Sequence, residues 1–184
     1  MCGIAGRILE QPGLIGVDLV ALMQAQAHRG SDSTGFALYG EPRQNSYIVR
    51  GVASDRRSLD QTLDEFSQTL RAHGSDFIED PSWDGTAQRH VSLRMIVSEL
   101  DVRAWLADAD TQEGIEIQSV GRSLEIVKDL GISHEVSLKH SITDFVGSHG
   151  IANARMATES RVSPTASHPF WARPFPDIAI VHNG

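Results

Sequence analysis

The chain has 184 residues, 40% of them hydrophobic and 22% charged, an ordinary globular balance that excludes disordered, collagen-like and coiled-coil architectures and fits one domain. Sixteen Lys and Arg against 24 Asp and Glu give a net charge of −8, which leaves no electrostatic reason to bind nucleic acid or an anionic membrane. A single cysteine excludes an intrachain disulfide and a Cys-built zinc or iron–sulfur site, and it points to a reducing, cytoplasmic compartment.

In chain order, residues 3–9 read as a short buried strand ended by the turn Gln11-Pro12-Gly13. From Val17 to His28, Leu19, Leu22 and Met23 recur at helical spacing. Thr34–Gly40 and Ser46–Gly51 alternate around Glu41-Pro42-Arg43 and predict a hairpin. Ser54 or Asp55 can cap a helix whose buried stripe is Leu59, Leu63, Phe66 and Leu70, with Gly74 to end it. Ser75–Arg89 is polar and turn-rich, a surface excursion. A strand at Val91–Val97, a helix around Trp105 and Leu106, a strand at Ile115–Val120 and a helix over Ser123–Leu130 closed by Gly131 follow. Two more strands are expected near Gly150–Ala157 and at Ile178–His182. Short strands alternating irregularly with helices point to a mixed α+β sandwich rather than a doubly wound parallel sheet.

The lone cysteine is Cys2. Removal of Met1 would make it the first residue, holding a thiol nucleophile and an α-amine together. With a pKa of roughly 7.7–8.0, that amine can accept a proton near neutral pH. A free thiol has a pKa of about 8.5 and is mostly protonated at pH 7, so a neighbouring base matters. Gly3 keeps the approach to the sulfur clear. On position alone, the reading of Cys2 as a small buried hydrophobe opening a strand stands ahead.

Five blocks in order change that balance: Cys2-Gly3-Ile4-Ala5-Gly6, His28-Arg29-Gly30-Ser31-Asp32-Ser33-Thr34-Gly35, Ala154-Arg155-Met156-Ala157-Thr158-Glu159-Ser160, His168-Pro169-Phe170 and Val181-His182-Asn183-Gly184. Together they resemble the class II, N-terminal-nucleophile glutamine amidotransferase domain, and most closely the stand-alone amidotransferase subunit of glutamate-synthase-like complexes, including N-methylglutamate synthase. The resemblance implies an Ntn-hydrolase sandwich of two antiparallel sheets between helical layers (four layers, αββα) over residues 1–184. It also implies a place in nitrogen metabolism, with Cys2 hydrolysing the glutamine side-chain amide through a glutamyl thioester. Asn183 and Gly184 match the family's oxyanion donors, a side-chain amide and a backbone N–H. Arg155 matches the arginine that holds the substrate α-carboxylate, a group a planar guanidinium grips in bidentate fashion. Thr158 lines the same pocket, and Gly30, Arg29 and Asp32 match the block beneath the nucleophile. His168 and His182 carry no chemistry in the family, and the eight histidines show no metal-ligand spacing.

Two positions depart from the family pattern. Asn153 stands where the family usually has histidine. The family continues past the position of Gly184 with another strand and an aspartate for the substrate α-ammonium, so the domain is expected to be incomplete at its C-terminus. By the same resemblance, ammonia passes to a glutamate-synthase-like subunit that carries flavin and iron–sulfur centres. No cofactor is expected on this chain, which has no phosphate-cradling glycine motif and no spare cysteine. The rival readings are a non-catalytic regulatory or scaffolding module that keeps the fold, and another Ntn hydrolase such as an acylase, which explains Cys2 but not Arg155.

Overall fold

The computed structural model describes residues 2–54, 59–84, 90–156 and 163–183. Its elements are β1 (Gly3–Gly13), α1 (Ile15–Gln24), β2 (Ser33–Tyr39), β3 (Ser46–Ser54), α2 (Leu59–Ala72), β4 (Ser82–Asp84), β5 (His90–Ser98), α3 (Val102–Ala109), β6 (Ile115–Gly121), β7 (Leu124–Leu130), α4 (Ser133–Lys139), β8 (Gly147–Arg155), β9 (Phe170–Trp171) and β10 (Ala179–Ile180). Short 3-10 turns lie at Ala27–Arg29 and Ile142–Asp144.

Two four-stranded sheets run in the orders β1-β8-β2-β7 and β4-β5-β3-β6, with every pairing antiparallel. Among the described residues, these two sheets, the β9–β10 pair and four helices form an α+β fold compatible with a sandwich. Alternation decides what each sheet face meets. In β2, Phe36 and Leu38 turn toward α1 and α4 and join a core with Leu19, Met23, Val127 and Val136. Ala37 turns the other way and joins Leu124 and Ile126 of the first sheet with Val49, Leu93 and Met95 of the second, over which α2 and α3 lay Phe66, Leu70 and Trp105. The stripe expected on α2 is the buried one, with Leu59 and Leu63 at its margin. α3 starts where Asp101 accepts from the Arg103 and Ala104 N–H groups, each at 3.1 Å.

Three readings change. Ser123–Leu130 is not a helix: Leu124–Leu130 is strand β7, paired along its whole length with β2. Leu124, Val127 and Leu130 stand at helical spacing, but Glu125, Lys128 and Asp129 are also buried, because groups packed on both faces of the strand cover them. The predicted hairpin is not formed either. Its two strands exist, but β2 lies between β7 and β8 and β3 between β5 and β6, so Glu41-Pro42-Arg43 carries the chain from one sheet to the other. The turn is held by the Gly40 and Arg43 N–H groups, which donate to the Ser123 and Arg122 carbonyls. Third, β1 does not end at Gln11-Pro12-Gly13 but runs through it along the sheet edge, where proline's missing N–H costs nothing. The strand expected at Ile178–His182 is only Ala179–Ile180, and α4, β4 and β9 had no sequence signal strong enough to mark them.

The β9–β10 hairpin is tied back by Asp177, whose carboxylate accepts from the N–H groups of Arg122 (2.9 Å), Ser123 (2.8 Å) and Leu124 (2.9 Å). Burial raises the carboxyl's pKa, but these three donors hold it below the usual carboxylate value.

Candidate active site

Strand register brings the sequence blocks to one place. Ile4 of β1 lies opposite Asn153 of β8, Asn153 lies opposite Gly35 of β2, and Gly35 lies opposite Lys128 of β7; Arg155 lies opposite Ser33. Opposed residues share a face, so this row points away from α1, while Ala5, Ala152 and Ala154 point into the α1 core. Cys2 sits immediately before β1, two residues from Ile4, and is partly exposed.

Asn183 comes to Cys2 across a sequence separation of 181 residues. Its side-chain Nδ2 donates to the Cys2 carbonyl oxygen at 3.1 Å, and its Oδ1 accepts from Asn153 Nδ2 at 2.9 Å. Asn153 is only 1% exposed, so its donor has a fixed acceptor and sets which end of the Asn183 amide faces Cys2. The amide expected to serve an oxyanion is here bonded to the backbone of the cysteine itself.

Arg155 ends β8, half-buried, and its Nη1 donates to the Ala166 carbonyl at 2.9 Å. Gly30 is buried against the same strand: a Cβ there would lie 2.7 Å from the carbonyl oxygen of Ala154 and from the carbonyl carbon of Arg155, both rigid backbone. Asp32 continues the contact, its N–H donating to the Arg155 carbonyl at 3.1 Å while its own carbonyl accepts from Gly131. Arg29 closes the 3-10 turn just before, half-buried. Thr158 and Gly184 lie outside the described residues, so their expected roles have no geometry here.

The segment from Ser167 to Phe170 crosses this face. The His168 carbonyl comes so close to Gly35 that a Cβ there would sit 2.1 Å from it. Below it Lys128, 6% exposed, donates from Nζ to the carbonyls of Ser167 (2.8 Å) and Pro169 (3.3 Å) and lies 4.7 Å from the Phe170 ring centre. Burial pulls the Lys128 ammonium down to about 8 against the opposing pull of Glu116. His168 is lowered as well, first by burial, with a bond to the Ile180 backbone opposing and the positive fields of Lys128, His182 and Arg155 adding to the shift. It therefore stays neutral at pH 7. Lys128 was invisible in the sequence because a helix reading places its charge in solvent. Only strict strand alternation through Leu124 and Ile126 could have revealed it. Among the described residues no cluster of three or more His, Cys, Asp or Glu could hold a metal, and no helix is long and apolar enough to cross a membrane.

No protein-family model matches the chain. The chain is similar to a Methanothermobacter thermautotrophicus protein provisionally named a glutamine amidotransferase, with 31% identity over all of this chain and 61% of that protein. It is equally similar to a Rhizobium meliloti protein named glutamine amidotransferase-like protein GlxB, with 31% identity over all of this chain and 58% of that protein. The chain thus spans about three-fifths of the length of these relatives. Both relatives are named for glutamine amidotransfer, and the likeness runs along the whole of this chain.

Proposed function

We propose that the chain is a class II glutamine amidotransferase domain of the Ntn-hydrolase type, working as the glutaminase component of a cytoplasmic, ammonia-channelling synthase. The observation that carries this reading is the contact of Asn183 with Cys2, which joins the first and last sequence blocks at a partly exposed thiol. After Met1 is removed, the Cys2 α-amine takes the thiol proton and the thiolate attacks the glutamine Cδ. The oxyanion that forms draws on Asn183 Nδ2 and the Gly184 N–H; removing one such donor typically costs about 10²–10³ in rate. The C–N bond breaks, ammonia leaves with the proton, and water cleaves the thioester to glutamate and free thiol. Arg155 holds the α-carboxylate with Thr158 beside it, while Gly30, Arg29 and Asp32 hold the loop against β8. The partner is a glutamate-synthase-like subunit that carries the flavin and iron–sulfur centres.

A second reading, a non-catalytic module, is favoured by two bonds. Asn183 Nδ2 is bonded to Cys2 and Arg155 Nη1 to Ala166, so each side chain already has a donor engaged within the protein. An electrophilic glutamine analogue separates the readings. On full-length protein lacking Met1, one adduct is expected on Cys2, and none on Cys2→Ala or on protein that retains Met1. Processed protein with no adduct and no ammonia release, with or without a partner, makes the module non-catalytic. Equal labelling of the Met1-retaining form removes the α-amine as base.

A further inference from the structure

The two ends of the candidate site are anchored on one strand. Asn153, which bonds Asn183, and Arg155 share a face of β8, about 7 Å apart at a strand rise of about 3.4 Å per residue. The segment Ala166–Phe170 reaches both ends. At one, the Ala166 carbonyl accepts from Arg155 Nη1 at 2.9 Å. At the other, Phe170 lies opposite Ile180 in the β9–β10 pair, and the His168 ring bonds the Ile180 backbone shortly before Asn183. Because β8 is fixed in the middle of its sheet, the placement of this segment decides where the Arg155 guanidinium stands relative to the Asn183 amide.

Lys128 is what holds the segment down. Gly35 lies between Asn153 and Lys128 in the same row, and its missing Cβ lets the His168 carbonyl drop onto the sheet. Beside it the buried Lys128 ammonium donates to the Ser167 carbonyl at 2.8 Å and the Pro169 carbonyl at 3.3 Å, the two that flank His168. The Ser167 hydroxyl adds a 2.8 Å contact to the hydroxyl of Ser33, the residue opposite Arg155. Lysine is almost never buried so deeply, and an apolar side chain would fill the place without losing an ammonium's hydration. Charge-assisted bonds to two carbonyls fix both the height and the register of the segment, which a non-directional apolar contact does not.

We propose that Lys128 is a positioning residue for substrate length: by holding Ser167 and Pro169 it sets the Arg155 guanidinium and the Asn183 amide at the spacing of glutamine rather than of asparagine, which is one methylene shorter. The inference rests on the glutaminase reading. Its test labels Cys2, in full-length protein lacking Met1, with the diazoketone analogues of glutamine and of asparagine, and with iodoacetamide, which carries no amino-acid end for Arg155. The parent protein should favour the glutamine analogue by about 10–200-fold, the range for one methylene. Lys128→Met should cut that preference at least about fivefold, chiefly by slowing the glutamine analogue, while iodoacetamide reacts at the parent rate. Gly35→Ala lifts the same segment with the ammonium retained and should cut the preference likewise; its result decides if Lys128→Met does not fold. A preference unchanged in the variant, whether both analogues slow equally or neither slows, overturns the role of Lys128, as does an equal loss of iodoacetamide reactivity, which places the effect at the sulfur. A parent that neither analogue labels overturns the glutaminase reading and this inference with it.

Discussion

Two buried polar side chains, Asn153 and Lys128, shape the candidate active site. Asn153 donates an amide proton to Asn183 Oδ1, and that bond turns the Asn183 Nδ2 toward Cys2. Aspartate at 153 would accept rather than donate, so the Asn183 amide would turn over and present oxygen to the Cys2 carbonyl. Asn153→Asp should therefore slow labelling of Cys2 by about 10²–10³ and lower stability by about 1–3 kcal/mol. Labelling at the wild-type rate would show that Asn153 does not aim Asn183. Lys128 acts through charge. Its folded pKa of about 8 lies below the ordinary 10.5, so between those values the unfolded chain binds the extra proton. Stability should then rise as pH increases from about 8 toward 10, and Lys128→Met should flatten that rise. Denaturant midpoints across this range give the answer, and identical slopes for both proteins would mean that the ammonium is not desolvated.

At the scale of elements, close approach and strand pairing are what position the site. The 167–170 segment can cross β2 only because Gly35 has no Cβ. Gly35→Ala should force that segment off the sheet at a cost of about 1–3 kcal/mol, read as a lowered unfolding midpoint; a midpoint within error of wild type would mean that the segment shifts freely. The other face of β7 is clamped to α4 by Asp129, which bonds His140 Nε2 at 2.9 Å and the Lys139 ammonium. Burial raises the Asp129 carboxyl, but these donors and the Leu130 N–H outweigh it and bring it down to about 2. The group's contribution, roughly 2 kcal/mol, is present above the ordinary value of 3.8 and lost as pH falls from about 4 toward 2. Asp129→Asn should remove that acid-dependent step from the stability curve, and a curve unchanged in shape would place the acid sensitivity elsewhere. The strand nature of β7 was hidden for the same reason that Asp129 and Lys128 matter. Its polar residues are buried by partners distant in sequence, and a local pattern counts them as solvent-facing.

On the whole molecule, apolar surface is unevenly left. Phe170, Phe175, Ile178 and Ile180 on or beside the β9–β10 hairpin are all at least one-third exposed, and Ile8 on the edge strand β1 is 79% exposed. Exposed apolar groups gathered in this way bind hydrophobic dyes and partner surfaces. The 1–184 chain should enhance anilinonaphthalene sulfonate fluorescence, and Ile178→Ser with Ile180→Ser should reduce that signal while moving stability by less than about 0.5 kcal/mol. A large loss of stability would instead mean that both side chains are packed.

The sequence by itself determined the α+β class, the amphipathic stripe of α2, the strands β2, β3, β5, β6 and β8, and the set of blocks around Cys2, Arg155 and Asn183. These are local signals: a period of two or 3.6, a cap, a motif. Tertiary structure decided which strands pair, that β2 and β3 part into different sheets, and that Asn153, opposite Ile4 on β8, bonds Asn183. It also decided that Lys128, Glu125 and Asp129 are buried charges rather than a wet helix face. Burial and register depend on which distant segment supplies the hydrogen-bond partner, and the free energy of those contacts is not encoded in the spacing of neighbouring residues.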